Sequence, residues 1–437
     1  MNLSASQTDV QVDQARSFRR WISGAALVVC LVGCLVASIL MFGKVKYAGE
    51  DSWYPMARAL EVIKASSNGH VYDTLFFQGH VKFQYPPSAL FSIDLLQKLN
   101  VTTAEQLNAI NASLVVIAGF AFAIFARQML GTLYFRGVKA PVGSICYLLA
   151  IEYYPNKLGF NFGQMQVLLG LLVLLACLAK IHERAFVAGC LVAIAATVKP
   201  QFALLGLLAL WQRDWRFVIG GAVVALAAFA ASILLYGWTN NLDYFKVLSF
   251  LSQHGEYHHL NQSINGIMNR IFYSGPSIDT DPENPIPNSA FPPFIPVVYW
   301  MTTVSSIVMI SVPFFFKQAD AKGANIFIFC LAIVLFTMAS PIAWVHHFNV
   351  LLPAYVVVLR VALTLERVRK LVILGLLGVS FCLTAVAIMP PFDPTVPAQN
   401  FLQSHVFLGG SLLIGIMLSL YREKATAAPG SLSWFKS

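Results

Sequence analysis

The stretch WISGAALVVCLVGCLVASILMF, residues 21–42, carries no charged side chain from end to end. Crossing the hydrocarbon core of a bilayer takes about 20 mostly apolar residues in a helix, so this stretch predicts a membrane span. Arg16, Arg19 and Arg20 precede it and no small-residue cleavage site follows, the pattern of a retained signal anchor rather than a removed signal peptide. Working outward, runs of the same kind recur at roughly 140–155, 163–179, 185–198, 200–211, 217–237, 292–316, 323–340, 346–361, 371–389 and 402–421. One further net crossing falls within 85–126, where three remain open. The predicted fold class is an all-α polytopic membrane protein with about twelve crossings, a single domain over residues 1–437. Composition agrees: 57% of residues are hydrophobic and 11% charged, against about 25% charged in soluble chains.

The net charge of +9 invites a nucleic-acid reading, but its distribution excludes one. Lys and Arg sit in short clusters between the apolar runs: Arg127/Arg136/Lys139, Lys180/Arg184, Arg213/Arg216, Lys317/Lys322, Arg360/Arg367/Arg369/Lys370 and Arg422/Lys424. Cytoplasmic loops carry this excess. With every cluster inside, the chain threads without contradiction. A tail at 1–20 and another at 422–437 are then cytoplasmic, and the segments 43–84 and 238–291 are outer loops. All seven cysteines fall inside apolar runs, so no disulfide framework is indicated.

The threading uses only loop charges, so it independently places the polar residues with chemical interest. Gly49-Glu50-Asp51, Tyr85-Pro86-Pro87, Gly163-Gln164, Lys199-Pro200, Asn261-Gln262-Ser263 and Ser340 to His347 all land on the outer face. Chance would scatter them over both. Pro200 biases Lys199 away from helical geometry, between apolar stretches too short to be comfortable spans, so the chain turns there below the membrane surface. A charge at that depth costs at least ~2.5–3.5 kcal/mol and usually faces a functional cavity; the alternative is a lysine snorkelling to the headgroups. Asp51 opens a segment to Lys64 with apolar residues at Trp53, Met56, Ala57, Leu60 and Ile63, the spacing of a surface helix. An acid there is also favourable merely as a helix-start residue, and Glu50 competes for any chemical role. His346-His347 lacks the further ligands at suitable spacing that metal sites need; His254, His258 and His259 lie in a polar outer loop and could bind a metal, but the expectation is that none is bound. The outer segment 238–291 predicts short surface helices within Tyr244–Phe272, then an irregular stretch from Gly275 to Asn288.

Taken in order, Asp51-Ser52-Trp53-Tyr54, Gly69-His70-Val71-Tyr72-Asp73, Phe83-Gln84-Tyr85-Pro86-Pro87 and Asn161 to Val167 resemble glycosyltransferase family 87. The resemblance continues through Ala188-Gly189-Cys190-Leu191, Lys199-Pro200, Asn261 to Gly266 and Ser340 to His347, covering about residues 49–355. Ser66-Ser67-Asn68 departs from the family's tighter approach to Gly69, and the strongly basic extension of many actinobacterial members is lacking. The family has a GT-C fold and uses polyprenyl-phosphate sugars; its best known members transfer mannose. The resemblance therefore implies a bacterial inner-membrane hexosyltransferase with its active site on the outer face. The implied partners are a polyprenyl-phosphate sugar, a lipid or glycan acceptor and membrane lipids, with neither a metal nor another cofactor. It implies Asp51 as general base, with Lys199 and one of His346 or His347 at the donor phosphate. Glu50, Tyr85, Gln164, Asn261, Gln262, Trp344 and, more weakly, Arg270 are the other pocket candidates. A single carboxylate suits direct displacement with inversion. Retention would call for a second carboxylate about 5 Å away, a place for which Glu50 stays open.

Two rival classes share many of these features. A transporter or flippase also has many spans and a buried lysine, but its site is reachable from both faces near the midplane. A non-catalytic membrane subunit would tolerate loss of Asp51.

Overall fold

The apolar runs become helices in a computed structural model that describes residues 3–65, 70–135, 137–273, 291–316, 322–388 and 403–426. In chain order these are α1 (Leu3–Gly43), α2 (Trp53–Ala65), α3 (Leu90–Lys98), α4 (Ala104–Leu130), α5 (Val142–Glu152) and α6 (Tyr154–Asn161). There follow α7 (Gln166–Ile181), α8 (Ala185–Ala196), α9 (Ala203–Trp211), α10 (Trp215–Tyr236), α11 (Trp238–His254) and α12 (Ile264–Phe272). The chain closes with α13 (Pro296–Ser311), α14 (Lys322–Met338), α15 (Leu352–Ala362), α16 (Arg367–Ala385) and α17 (His405–Thr426). The strands among the described residues form one short antiparallel hairpin, Tyr134–Phe135 with Val138–Lys139. The chain is thus an all-α polytopic membrane protein. Seven described helices are long and apolar enough to cross a membrane, and five shorter apolar helices occupy other predicted crossings. The stretch Gly275–Asn288, the residues Ser66 to Gly69, Arg136 and Lys317 lie outside the described residues.

Within 85–126 a nine-residue helix, α3, precedes the 27-residue α4. At 1.5 Å per residue the first reaches only about 13 Å, so the region holds one helix of spanning length. The break falls where Thr103 caps α4: its hydroxyl accepts from the Gln106 amide, and the Gln106 side chain accepts from the Thr103 amide, a reciprocal capping box. The N-terminal segment read as a tail is helical from Leu3 onward, since nothing from Leu3 to Arg20 is Gly or Pro to interrupt the helix.

Burial sorts the helices into an inner and an outer set. Ile326 to Met338 of α14 is buried almost without a break, as a helix apolar on every side must be. The segment Val345–Ala362 has 89% of its length buried, whereas the apolar part of α1 has 6%, so α1 faces the lipid. Helices α4, α7, α14 and α15 pack against one another at the centre, while α8 lies between α7 and α10. The α8–α10 crossing explains one sequence motif. A Cβ at Gly189 would sit 2.0 Å from the Phe217 carbonyl oxygen, and one at Gly220 would sit 2.2 Å from that of Phe186. Only glycines let the two backbones meet so closely. At one end of the bundle, Lys180 of α7 pairs with the α10 cap Asp214 at 2.7 Å.

Candidate functional site

Asp51 is fixed by main chain before its side chain does anything. Gly49 donates to the Asn161 carbonyl at 2.6 Å and Asp51 to that of Phe162 at 2.9 Å. The chain can return from Phe162 only because Gly163 has φ of 63°, where a Cβ would lie 2.1 Å from the Gly49 oxygen. Asp51 therefore stands just before α2, whose face of Trp53, Met56, Ala59 and Leu60 is buried, while Ala57 and Ile63 are half-buried.

A polar network holds the carboxylate. Gln164 Nε2 donates to Asp51 Oδ2 at 3.2 Å, and Gln164 Oε1 accepts from Ser52 Oγ at 2.9 Å. The Ser52 hydroxyl also meets the Tyr85 hydroxyl at 2.7 Å and accepts from the Met165 amide at 3.0 Å. Burial pushes Tyr85 up to about 12, so it is a hydroxyl donor at neutral pH and no base. Asp51 opens onto a cavity yet is closely surrounded by protein. That surrounding raises its pKa above the ordinary carboxylate value, opposed by the Gln164 bond and the charge of Lys82 and assisted by that of Glu256. Glu50 lines the same cavity and is exposed.

Lys199 enters from the other side. The chain is extended there, φ −129° and ψ 101°, between α8 and a 3-10 turn at Pro200–Phe202, as Pro200 requires. Lys199 Nζ donates to Gln166 Oε1 at 2.9 Å and contacts His347 Nε2. Gln166 is itself locked by Asn349, which exchanges bonds with it at 3.0 and 3.1 Å. His346 and His347 belong to the 3-10 segment Val345–Leu351. Both are buried, and the Nδ1 atoms of both lack a partner among the described residues.

Glu50, Asp51, Tyr85, Gln164, Lys199, His346 and His347 line one cavity of about 1060 Å³. Trp344 belongs to the same lining. The lining also includes apolar side chains, Val198, Leu204 of α9, Ile307 and Ile310 of α13 and Phe336 of α14, with Thr303 and Ser306 of α13 among them. Helix α14 lies between α9 and α13 and packs on both.

Asn261, Gln262 and Arg270 are placed behind the wall rather than on it. Asn261 pairs with Trp344 in an isolated β-bridge, and its Nδ2 donates to the carbonyls of Glu256 and Pro341 at 2.9 and 3.1 Å. Ser263 caps α12 and donates to the Pro341 carbonyl at 2.8 Å. The motif at 261–263 thus stitches the loop after α11 to the segment 340–345. Arg270 likewise turns away from this cavity. Its guanidinium donates to the carbonyls of His258 and Asn261 at 3.0 and 2.9 Å and to Ser404 Oγ at 2.6 Å, inside the protein.

Three cavity residues escape the sequence reading. Glu256 accepts from Lys82 Nζ at 3.2 Å, from Gln84 Nε2 at 3.3 Å and from Trp344 Nε1. The only available signal was alternation, since Lys82 and Gln84 flank the buried Phe83 and share Tyr85's side of the pocket. Away from the cavity, His70, Asp73 and Asp243 bring ligand atoms within 4.8 Å of one another. Those carboxylates already pair with Lys246, at 3.4 and 2.9 Å. His254 Nδ1 donates to the Pro292 carbonyl at 2.9 Å, and His258 Nδ1 accepts from the Leu260 amide.

Residues 83–341 match the family model described as glycosyltransferase family 87. No curated protein matches the chain. The matched span includes Tyr85, Gln164, Lys199 and Glu256; Asp51 precedes it and His346 and His347 follow it.

Proposed function

Because the chain belongs to glycosyltransferase family 87 and is a membrane glycosyltransferase, we propose that it moves a hexose from a polyprenyl phosphate to a lipid or glycan acceptor. The observation that carries this reading is one cavity lined both by Asp51, Lys199, His346 and His347 and by the apolar Leu204, Ile307, Ile310 and Phe336. A lipid-linked sugar phosphate has parts to match: a hydroxyl-rich ring, an anion and a hydrocarbon tail. The tail lies along Leu204, Ile307, Ile310 and Phe336, the phosphate meets Lys199 with His346 or His347, and the sugar projects toward Asp51. Mannose is the hexose the family resemblance favours.

In the proposed step, Asp51 takes the proton of the acceptor hydroxyl as that oxygen attacks the anomeric carbon. The bond from that carbon to the phosphate oxygen breaks, and the polyprenyl phosphate leaves with the electron pair. Lys199 and a histidine stabilise the added negative charge, as preorganised donors do where charge develops. One attack by the acceptor inverts the anomeric centre. Glu256 is tied by Lys82, Gln84 and Trp344, which counts against it as a second carboxylate nucleophile and leaves Glu50 as the carboxylate a retaining route would need. The step balances without a metal or organic cofactor.

Purified protein in detergent, offered a panel of polyprenyl-phosphate hexoses with candidate lipid acceptors, is expected to consume one donor and release polyprenyl phosphate. Consumption of a nucleotide sugar in place of every lipid-linked donor would overturn the donor assignment.

We also place the cavity on the outer face of the bacterial inner membrane, with both termini cytoplasmic. Ser52, Gln262 and Val345 would be natural labelling positions from sequence alone, but all are buried. Glu50, Tyr54, Arg184 and Arg213 are exposed. On intact spheroplasts an impermeant maleimide should label Glu50→Cys and Tyr54→Cys and spare Arg184→Cys and Arg213→Cys. The reverse pattern would turn the threading upside down.

A further inference from the structure

Three carboxylates, Glu50, Asp51 and Glu256, and the lysine Lys82 line the cavity. Glu256 is 3% exposed and cannot wander. Its carboxylate oxygens accept from Lys82, Gln84 and Trp344. Its amide donates to Asn265 Oδ1 at 3.2 Å, and its carbonyl accepts from Asn261 Nδ2 at 2.9 Å. Lys82 is different. Its side chain is 25% exposed, its ammonium is a point charge on a four-carbon stem, and it is close enough for its charge to act on Asp51. A lysine paired with the base would favour the carboxylate anion and weaken its hold on a proton.

We propose that Glu256 is a positioning residue that sequesters Lys82, leaving Asp51 without a cationic partner and therefore basic. The proposal rests on Asp51 being the general base. It also gives the Asn261–Asn265 motif a purpose, since that motif builds the backbone from which Glu256 and Trp344 are presented. Other charged or titratable groups share the cavity with Asp51: Glu50 beside it, Tyr54 of α2, His80 and Tyr85 from the loop before α3, Tyr244 of α11, Tyr299 of α13, and Lys199, His346 and His347. Of the charges, Lys82 and Glu256 are the pair that bears on Asp51, with opposite signs.

The test follows the protonation of Asp51 directly, as the carboxyl infrared band that disappears in Asp51→Asn, titrated in the full-length protein without ligand. Glu256→Gln should move its midpoint down by about 1–3 pH units as Lys82 is released. Lys82→Met should move it up, and Glu256→Gln combined with Lys82→Met should return it close to the wild-type value. Turnover of the polyprenyl-phosphate hexose identified in the panel should fall in Glu256→Gln, by at most about tenfold for each pH unit that the midpoint drops. It should recover in the double variant. A merely structural Glu256, or one that binds substrate hydroxyls, would give no recovery on removing Lys82, and that result overturns the proposal. So does an unmoved midpoint in either single variant, with Lys82→Met serving should Glu256→Gln fail to fold. Normal turnover of Asp51→Asn would instead remove the base assignment, while the infrared midpoints still decide whether Glu256 sequesters Lys82.

Discussion

Asp51→Asn lowers turnover by roughly 10²-fold or more, with donor binding and folding little changed. The amide keeps the size of the carboxylate and can still meet Gln164, which donates to it at 3.2 Å and whose side-chain amide can turn over. What it cannot do is accept a proton, and a positioned base contributes about 10²–10⁴-fold. The loss corresponds to at least about 2.7 kcal/mol of barrier. The pH profile carries a second expectation. Burial raises the Asp51 pKa above its ordinary value of 3.8, and the active form is deprotonated. Activity therefore climbs as pH rises through that raised pKa, and the acid limb of kcat/KM lies above the usual carboxylate range and vanishes in Asp51→Asn. Glu50→Gln should cost far less. Full activity in a monodisperse Asp51→Asn protein would remove the mechanism, and a large loss confined to Glu50→Gln would move the base by one residue.

Lys199→Ala should abolish most transfer, by about 10²–10³-fold if its share resembles that of a preorganised donor to developing charge. The same change should weaken retention of polyprenyl phosphate, the leaving group. Lys199→Arg keeps a cation but not its geometry: the guanidinium must fit between Gln166 and His347, which the lysine nitrogen contacts together. Partial activity is expected. Equilibrium binding of polyprenyl phosphate, measured alongside turnover, checks both. Unchanged binding and turnover in Lys199→Ala would mean that the nitrogen merely resides at the wall.

Much of this arrangement was legible from residue order. Charges in loops predicted where Gly49–Asp51, Tyr85, Gln164, Lys199 and Ser340–His347 converge, and all of these segments contribute to one cavity. Pro200 predicted the extended backbone of Lys199, because the proline ring restricts its predecessor whatever the tertiary setting. The failures share a cause. Asn261, Gln262 and Arg270 have the donors of ligand-binding residues, but those donors go to main-chain carbonyls: Pro341 for Asn261, Gln403 for Gln262 and the nearer Asn261 for Arg270. Backbone groups denied water must find partners somewhere, and sequence does not say which polar side chains will serve them. Glu256 was overlooked for the converse reason: its partners Lys82 and Trp344 are 174 and 88 residues away, and only folding brings them together.

The hairpin of α8 and α9 bears on the surroundings of the protein as well as on its chemistry. Its arms, Ala185–Ala196 and Pro200–Trp211, each rise about 18 Å, against about 30 Å for an ordinary hydrocarbon core. Such a mismatch is relieved by thinning the bilayer beside the protein or by drawing headgroups inward, at fractions of a kcal/mol per Å. If Lys199 meets the donor phosphate as proposed, the turn that carries it would set the depth at which that phosphate is met. A lipid-linked donor diffusing in the leaflet would find the membrane already dimpled toward that turn, so the thickness of the host bilayer becomes a variable of the enzyme.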